Sequence, residues 1–228
     1  MSASFFSCSI VLTLVLGLHD LKYNANILHR DVSVNNIMYE IRNGEPFFIL
    51  NDYDLVSLEK PNGEDAKPSS KRRTGTLPFM PCEVLSDLGT LDRGDRPFIP
   101  HILRYDFESL YWVSLWCTMT MEAVKDANLE NLIKTTLSEW ETGSFNRIAS
   151  SKKNVFVVSD TFRQLPMTPL YQPCRSWLHR WNDVFFDATC RIYQADRRRG
   201  YGAVSTLDFE TVDGIITKET ILEAIDSA

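Results

Sequence analysis

Three side chains in the first quarter of the chain have the types and spacing for proton and cation chemistry. The stretch His29-Arg30-Asp31-Val32-Ser33-Val34-Asn35-Asn36 sets a carboxylate and, five residues on, an amide, on a loop that leads into the apolar run Ile37-Met38-Tyr39. A carboxylate beside an acceptor hydroxyl can take its proton. The oxygen of an Asn, with a second carboxylate nearby, can hold a hard cation such as Mg²⁺. That second carboxylate is Asp52, in Leu50-Asn51-Asp52-Tyr53-Asp54-Leu55. Taken alone, an Asp in a loop is more often a turn or cap residue; what argues for chemistry here is the ordered series that follows.

The form His-Arg-Asp-x-x-x-x-Asn is the catalytic-loop signature of protein kinases. Further along come Gly75-Thr76-Leu77-Pro78-Phe79-Met80-Pro81-Cys82-Glu83 and Tyr105-Asp106-Phe107-Glu108-Ser109-Leu110. The first resembles the end of a kinase activation segment, and the second opens an apolar helix. With Ser33, Asn36, Ile37 and Met38 after the Asp, then Asp-aromatic-Asp-Leu, the set resembles the fungal-type protein kinase family over roughly residues 8 to 225.

The resemblance implies roles. Asp31 would orient or deprotonate the acceptor hydroxyl of a protein substrate. Asn36 and Asp52 would hold Mg²⁺ on the phosphates of ATP, with Ser33 beside the transferring phosphate. Arg30 would pair with a phosphorylated activation-segment residue, and Thr76 would buttress Asp31. His29, Glu83 and Asp106 would be structural supports: Asp106 holding the catalytic-loop backbone, and Glu83 paired with an arginine late in the lobe, with Arg197, Arg198 and Arg199 as candidates. Two positions depart from the common kinase pattern. Ser33 stands where a lysine is usual, and a hydroxyl cannot neutralise phosphate charge. Asp54 stands for Gly, which reduces backbone freedom; its carboxylate either adds charge at the metal or caps the next segment.

These residues need rigid elements beneath them. The apolar run from Phe5 to Leu18 is too short to span a bilayer and has no Lys or Arg before it, so it reads as a buried helix feeding the loop. Asn43-Gly44 between two apolar runs predicts a β-hairpin between Asn36 and Asp52. Residues 59–74, charged and containing Pro and Ser, read as a mobile activation-loop segment, with Ser69, Ser70 and Thr74 as hydroxyls open to modification. Residues 84–104 read as a long loop. Residues 105–121 are apolar nearly all round, which predicts a buried helix. Amphipathic helices are expected over 128–141 and 174–194, a polar stretch over 143–153, a connector over 195–214, and a short last helix capped by Thr217. The fold class is therefore mainly α (α+β overall): a protein-kinase-like C-terminal lobe with a small β-hairpin beside the catalytic loop, as a single domain over residues 1–228.

A net charge of −6 argues against a broad nucleic-acid surface. Five cysteines, an odd number with no C-x-x-C pair, favour reduced thiols in an intracellular setting, cytoplasmic or nuclear, over a disulfide frame or zinc site. The 28 residues before His29 hold one glycine, one lysine and no glutamate. The Gly-rich loop and the Lys–Glu pair of a kinase N-lobe are accordingly expected to be missing from this polypeptide. The leading expectation is a Ser/Thr protein kinase that is weak or inactive alone and whose N-lobe-facing surface wants a partner. The alternatives are a non-catalytic, pseudokinase-like interaction lobe or gene fragment, and a small-molecule phosphotransferase. The segment from Gly75 to Glu83 argues against the last, because it serves protein substrates in kinases.

Overall fold

The computed structural model describes residues 8–42, 45–55, 57–58, 75–90, 99–200 and 206–226. The expected hairpin turn at Asn43-Gly44 and the activation-loop segment 59–74 lie outside the described residues. Helix α1 (Cys8–Ala25) takes up the first apolar run, and the short strand β1 (Ile27–Leu28) delivers the chain to His29. The hairpin is strands β2 (Ile37–Arg42) and β3 (Glu45–Leu50), paired antiparallel from Ile37↔Leu50 to Arg42↔Glu45. A two-residue strand β4 (Ser57–Leu58) returns antiparallel to β1, a ladder that no periodicity announces. The rest is helical: α2 (Cys82–Leu88), α3 (Leu103–Thr120), α4 (Ala127–Glu141), α5 (Phe145–Val157), α6 (Ser159–Gln164), α7 (Arg175–Gly200) and α8 (Lys218–Asp226). The protein is thus mainly α with a small hairpin, the architecture of a kinase-like C-lobe.

Helix α3 is the centre. Its residues are buried without a break from Leu103 to Leu115, as all-round apolarity requires. Helix α1 packs on α3 and on α8, and α7 packs on α8 and α5. Around Tyr111 and Trp112 an aromatic cluster closes the core. Tyr111 sits edge-on to Trp181 at 5.4 Å, Trp112 edge-on to Trp140 at 5.3 Å, and Phe156 stacks on Phe185 at 5.0 Å. Edge-to-face and offset pairs of this kind add to simple burial. Within it the Tyr111 hydroxyl donates to Asn182 Oδ1 at 2.7 Å, with both residues buried, whereas the buried Trp181 Nε1 has no hydrogen-bond partner among the described residues. A second, smaller cluster of Met80, Val84, Leu85, Tyr105, Ile148 and Ala149 seats α2 against α5 and the start of α3.

Side chains that accept from exposed backbone amides set the helix starts. Asp126 caps α4 through the amides of Asn128 and Leu129, Ser144 caps α5 through Arg147, and Thr217 caps α8 through Thr220. Three expectations are corrected. The supposed loop from residue 84 begins inside a helix, α2, whose C-terminal Gly89 lies so close to α5 that a Cβ there would sit 2.2 Å from Asn146 Oδ1. The polar stretch 143–153 is helix α5. Its buried stripe is Ile148, Ala149, Lys152, Val155 and Phe156, and the lysine at the centre hides the periodicity. The connector assigned from 195 begins later, since α7 runs on to Gly200.

Leu110 of α3 is fully buried, whereas Leu132 of α4 is 49% exposed. Leu110→Ala is expected to cost about 2–5 kcal/mol of unfolding free energy in urea. Leu132→Ala is expected to stay within about 0.5 kcal/mol of wild type.

Candidate active site

The loop from His29 to Asn36 is fastened from below by one buried carboxylate. Asp106, in the first turn of α3, accepts the backbone N–H of His29 through Oδ2 and of Arg30 through Oδ1, both at 2.9 Å. His101 Nε2 lies 2.9 Å from the same Oδ1. Burial alone would push the Asp106 pKa up. The electrostatic interaction and hydrogen bond with His101, together with the Arg30 amide, more than reverse this and hold the carboxyl below its usual range. The grip has a purpose in the backbone: Arg30 stands at φ 71°, a left-handed conformation that costs a non-glycine residue of the order of 1–3 kcal/mol. Two amide bonds to a buried carboxylate are strong enough to hold it.

His29, fully buried, joins the two halves of the site. Its Nε2 donates to the carbonyl of Asn51 at 3.0 Å, which leaves Nδ1 to accept the N–H of Asp31 at 3.4 Å. These two bonds tie the loop to the end of β3, and the His29 ring also meets Tyr53 edge-on at 5.1 Å.

Asp31 is oriented through both oxygens. Oδ1 accepts from the Thr76 amide at 3.1 Å and the Thr76 hydroxyl at 3.2 Å. Oδ2 accepts from Asn36 Nδ2 at 3.1 Å, and the same Nδ2 donates to the Asp31 carbonyl at 2.9 Å. A carboxylate offers about four acceptor directions. Three are used, and the one left is on Oδ2.

With its nitrogen committed, Asn36 keeps Oδ1, the atom a metal would take. The hairpin register brings Asp52 to the same place. The Asn51 amide donates to the Asn36 carbonyl at 2.8 Å, so the Cα atoms of Asn36 and Asp52 are no more than roughly 11 Å apart. Asp52 is exposed at φ 64°, a conformation Asp tolerates better than most residues, and its Oδ1 accepts the Asp54 amide at 3.4 Å. Asn36 and Asp52 are hard oxygen donors of the kind Mg²⁺ prefers. No group of three or more His, Cys, Asp or Glu forms a metal site among the described residues. Two protein ligands with water and phosphate oxygens completing the octahedron is, however, the usual pattern for Mg²⁺.

The remaining assignments divide. Ser33 is 1% exposed, and its buried hydroxyl has no hydrogen-bond partner among the described residues. Arg30 is half-buried, and its guanidinium makes no ion pair among the described residues. The Glu83 pairing is a correction. Its carboxylate forms a two-pronged bridge to Arg104, with Nη1–Oε1 at 2.9 Å and Nη2–Oε2 at 2.7 Å, and accepts the Tyr105 hydroxyl at 2.7 Å. Arg197 and Arg198 are exposed on α7, and the side chain of Arg199 lies outside the described residues. Burial would raise the Glu83 pKa, but Arg104 and Tyr105 lower it overall. Arg104 was missed because one arginine in an apolar helix start carries no sign of which carboxylate it meets. Glu108 was missed too. Its Oε1 accepts the Cys82 amide at 2.8 Å and Trp112 Nε1 at 3.1 Å, pinning the start of α2. Burial first, and Glu108 second, push the Cys82 thiol well up, so it is packed and unreactive.

Residues 11–118 match the family model described as fungal protein kinase. The matched segment holds every site residue from His29 to Asp106, so the similarity to fungal protein kinases covers the whole candidate site. No curated protein matches the chain.

Asp106→Asn would turn one amide N–H toward a backbone N–H while removing the charge. It is expected to destabilise the protein by about 3–5 kcal/mol at pH 7, measured by chemical denaturation. Because the folded pKa lies below the unfolded value of about 3.9, the ionised carboxylate's contribution is fully present above that pH. It is lost as the pH falls through the folded value. The gap between wild type and variant should therefore be constant from neutral pH to about pH 5 and close below about pH 4.

Proposed function

We propose that the chain acts as a Ser/Thr-type protein kinase lobe that transfers the γ-phosphate of ATP to a protein hydroxyl. The observation that carries this reading is the state of Asp31: held on three sides by Thr76 and Asn36, with one acceptor direction on Oδ2 left beside the Asn36–Asp52 pair. In this reading the substrate hydroxyl donates to Oδ2. Asp31 aligns its oxygen with the phosphorus and takes the proton as the oxygen–phosphorus bond forms and the bond to the ADP oxygen breaks. Asn36 Oδ1 and Asp52 would hold Mg²⁺, which neutralises phosphate charge when bound. Arg30 would receive a phosphate on the activation segment, consistent with its lack of an ion pair among the described residues. The segment from Thr76 to Glu83, fixed at several points, would carry the protein substrate, which weighs against a small-molecule acceptor.

Transfer should be slow in the isolated chain. Most of the catalysis of phosphoryl transfer is positioning and charge stabilisation. No Gly-rich phosphate loop with a strand lysine is among the 228 residues. Asp52 stands on an open surface, where water screens its charge. The same surface favours a second, non-catalytic reading. Met38, Tyr39, Ile41, Phe47 and Tyr53 are each more than 40% exposed on or beside the hairpin, the kind of apolar surface that binds a protein partner. No helix of the described residues is long and apolar enough to cross a membrane. All five cysteines are free, which fits a reducing compartment.

The test is to titrate the purified 228-residue chain with ATP-Mg²⁺ and follow phosphate transfer to a generic protein substrate. Weak binding and slow transfer are expected, with transfer reduced by about 10²-fold or more in Asp31→Asn. ATP-Mg²⁺ affinity should fall in Asp52→Asn but not in Asp31→Asn. Transfer that survives Asp31→Asn would remove the kinase reading. Absence of any transfer, with ATP bound or not, would favour the interaction lobe.

A further inference from the structure

Lys152 is the one lysine of the described residues with no exposed surface, and it sits in α5, against the Gly75–Glu83 segment. Lysine is almost never fully buried unless paired, yet no carboxylate forms an ion pair with Lys152 among the described residues. Its Nζ is spent on the backbone. It donates to the carbonyl of Pro78 at 2.9 Å and of Met80 at 2.6 Å, and lies 4.5 Å from the centre of the Trp112 ring. Two hydrogen bonds and a ring face account for the three N–H directions of an ammonium. Pro78 and Met80 flank Phe79 at the 3₁₀ turn Leu77–Phe79, whose N-cap is Thr76. The Phe79 amide closes that turn on the Thr76 carbonyl at 2.8 Å. Thr76 in turn supplies both bonds to Asp31 Oδ1.

We propose that Lys152 is a positioning residue: its ammonium clamps the 3₁₀ turn that carries Thr76, and through Thr76 sets the orientation of Asp31. The link to transfer rests on the kinase reading of Asp31; the clamp itself rests on geometry alone. A lysine that merely filled space would be poorly chosen, since a methionine of similar length could fill it without a charge to desolvate. The groups that face Nζ are Cys82 from α2, Glu108 and the Trp112 ring from α3, and Pro78 and Met80 from the turn. Lys153, next on α5, points elsewhere: its Nζ donates to Ser86 Oγ at 3.0 Å. Burial lowers the Lys152 pKa, against the raising effects of Cys82 and Glu108, to about 8. The ammonium is therefore the main form at neutral pH, and the folded protein gives up its charge as the pH rises past that value, well below the usual lysine range near about 10.4.

The experiment is hydrogen exchange on the full chain, read at the amides of Thr76, Phe79 and Cys82 and, as a reference, at Tyr111 and Val113 in α3. Lys152→Met is expected to lower protection at the first three by about tenfold or more while α3 stays as in wild type. ATP-Mg²⁺ affinity should be unchanged, because Lys152 lies away from Asn36 and Asp52, and transfer should fall by about tenfold or more. In wild type, protection at Thr76 and Phe79, corrected for intrinsic exchange, should rise by about tenfold between pH 7 and pH 9, because the opened turn takes up the proton that the buried lysine has lost, and this rise should vanish in Lys152→Met. If Lys152→Met does not fold, the wild-type pH series decides alone: protection that is flat across that range overturns the proposal. Unchanged protection in a folded Lys152→Met overturns it as well, whatever the transfer result. Protection that moves as expected in a wild type that transfers no phosphate supports the clamp and removes the kinase reading.

Discussion

A single buried carboxylate, Asp106, sets the position of the whole site. It is 1% exposed and points from the first turn of the most buried helix, α3, to two successive backbone amides, those of His29 and Arg30. A backbone at positive φ does not persist unless its surroundings over-determine it. Here the surroundings are a carboxylate, itself held ionised by His101. His29 then carries the constraint onward, accepting from the Asp31 amide with one ring nitrogen and donating to Asn51 with the other. Asp31, the candidate for handling a proton, and Asp52, the candidate for holding a cation, are thus indexed to the same rigid helix.

The segment after Gly75 is fixed by a second set of charges, and these differ in kind from surface ion pairs. Glu108 takes the Cys82 amide, Arg104 takes Glu83 in a fork, and Lys152 takes two carbonyls. Exposed ion pairs contribute little to stability, and buried charges often cost more than they return. Their effect is geometric. Each has few partners and strict directions, so the segment between Thr76 and Glu83 has one way to lie. The apolar cluster of Met80, Val84, Leu85 and Tyr105 supplies the adhesion, and the polar fastenings supply the register.

The site is tight beneath and open above. Asp31 and Asn36 are fixed within a dense hydrogen-bond network, while Asp52 and Tyr53 lie on the surface beside the exposed apolar side chains of the hairpin. Preorganised donors count most where water is excluded. A surface that covered the hairpin would bury its apolar residues and lower the effective dielectric at Asp52 in one step.

Short-range patterns were legible in the amino-acid sequence. The spacing of Asp31, Asn36 and Asp52 with a hairpin between them, the all-round apolarity of α3, and the capping residue of α8 each act over a few residues, where local sterics and burial dictate the outcome. Helix α5 was not legible, because a buried lysine breaks the apolar period that would have revealed it; only the carbonyls of Pro78 and Met80, more than 70 residues away in the chain, make a charge tolerable there. The partner of Glu83 was not legible either. Several arginines were chemically equal candidates, and the packing of α2 against the start of α3 chose Arg104. The sequence by itself determined which residues could do chemistry and which helix would be buried. Tertiary structure alone decided which charges meet, since a buried charge is settled by whatever polar group the fold brings within hydrogen-bond reach, and that distance is not written in the order of the residues.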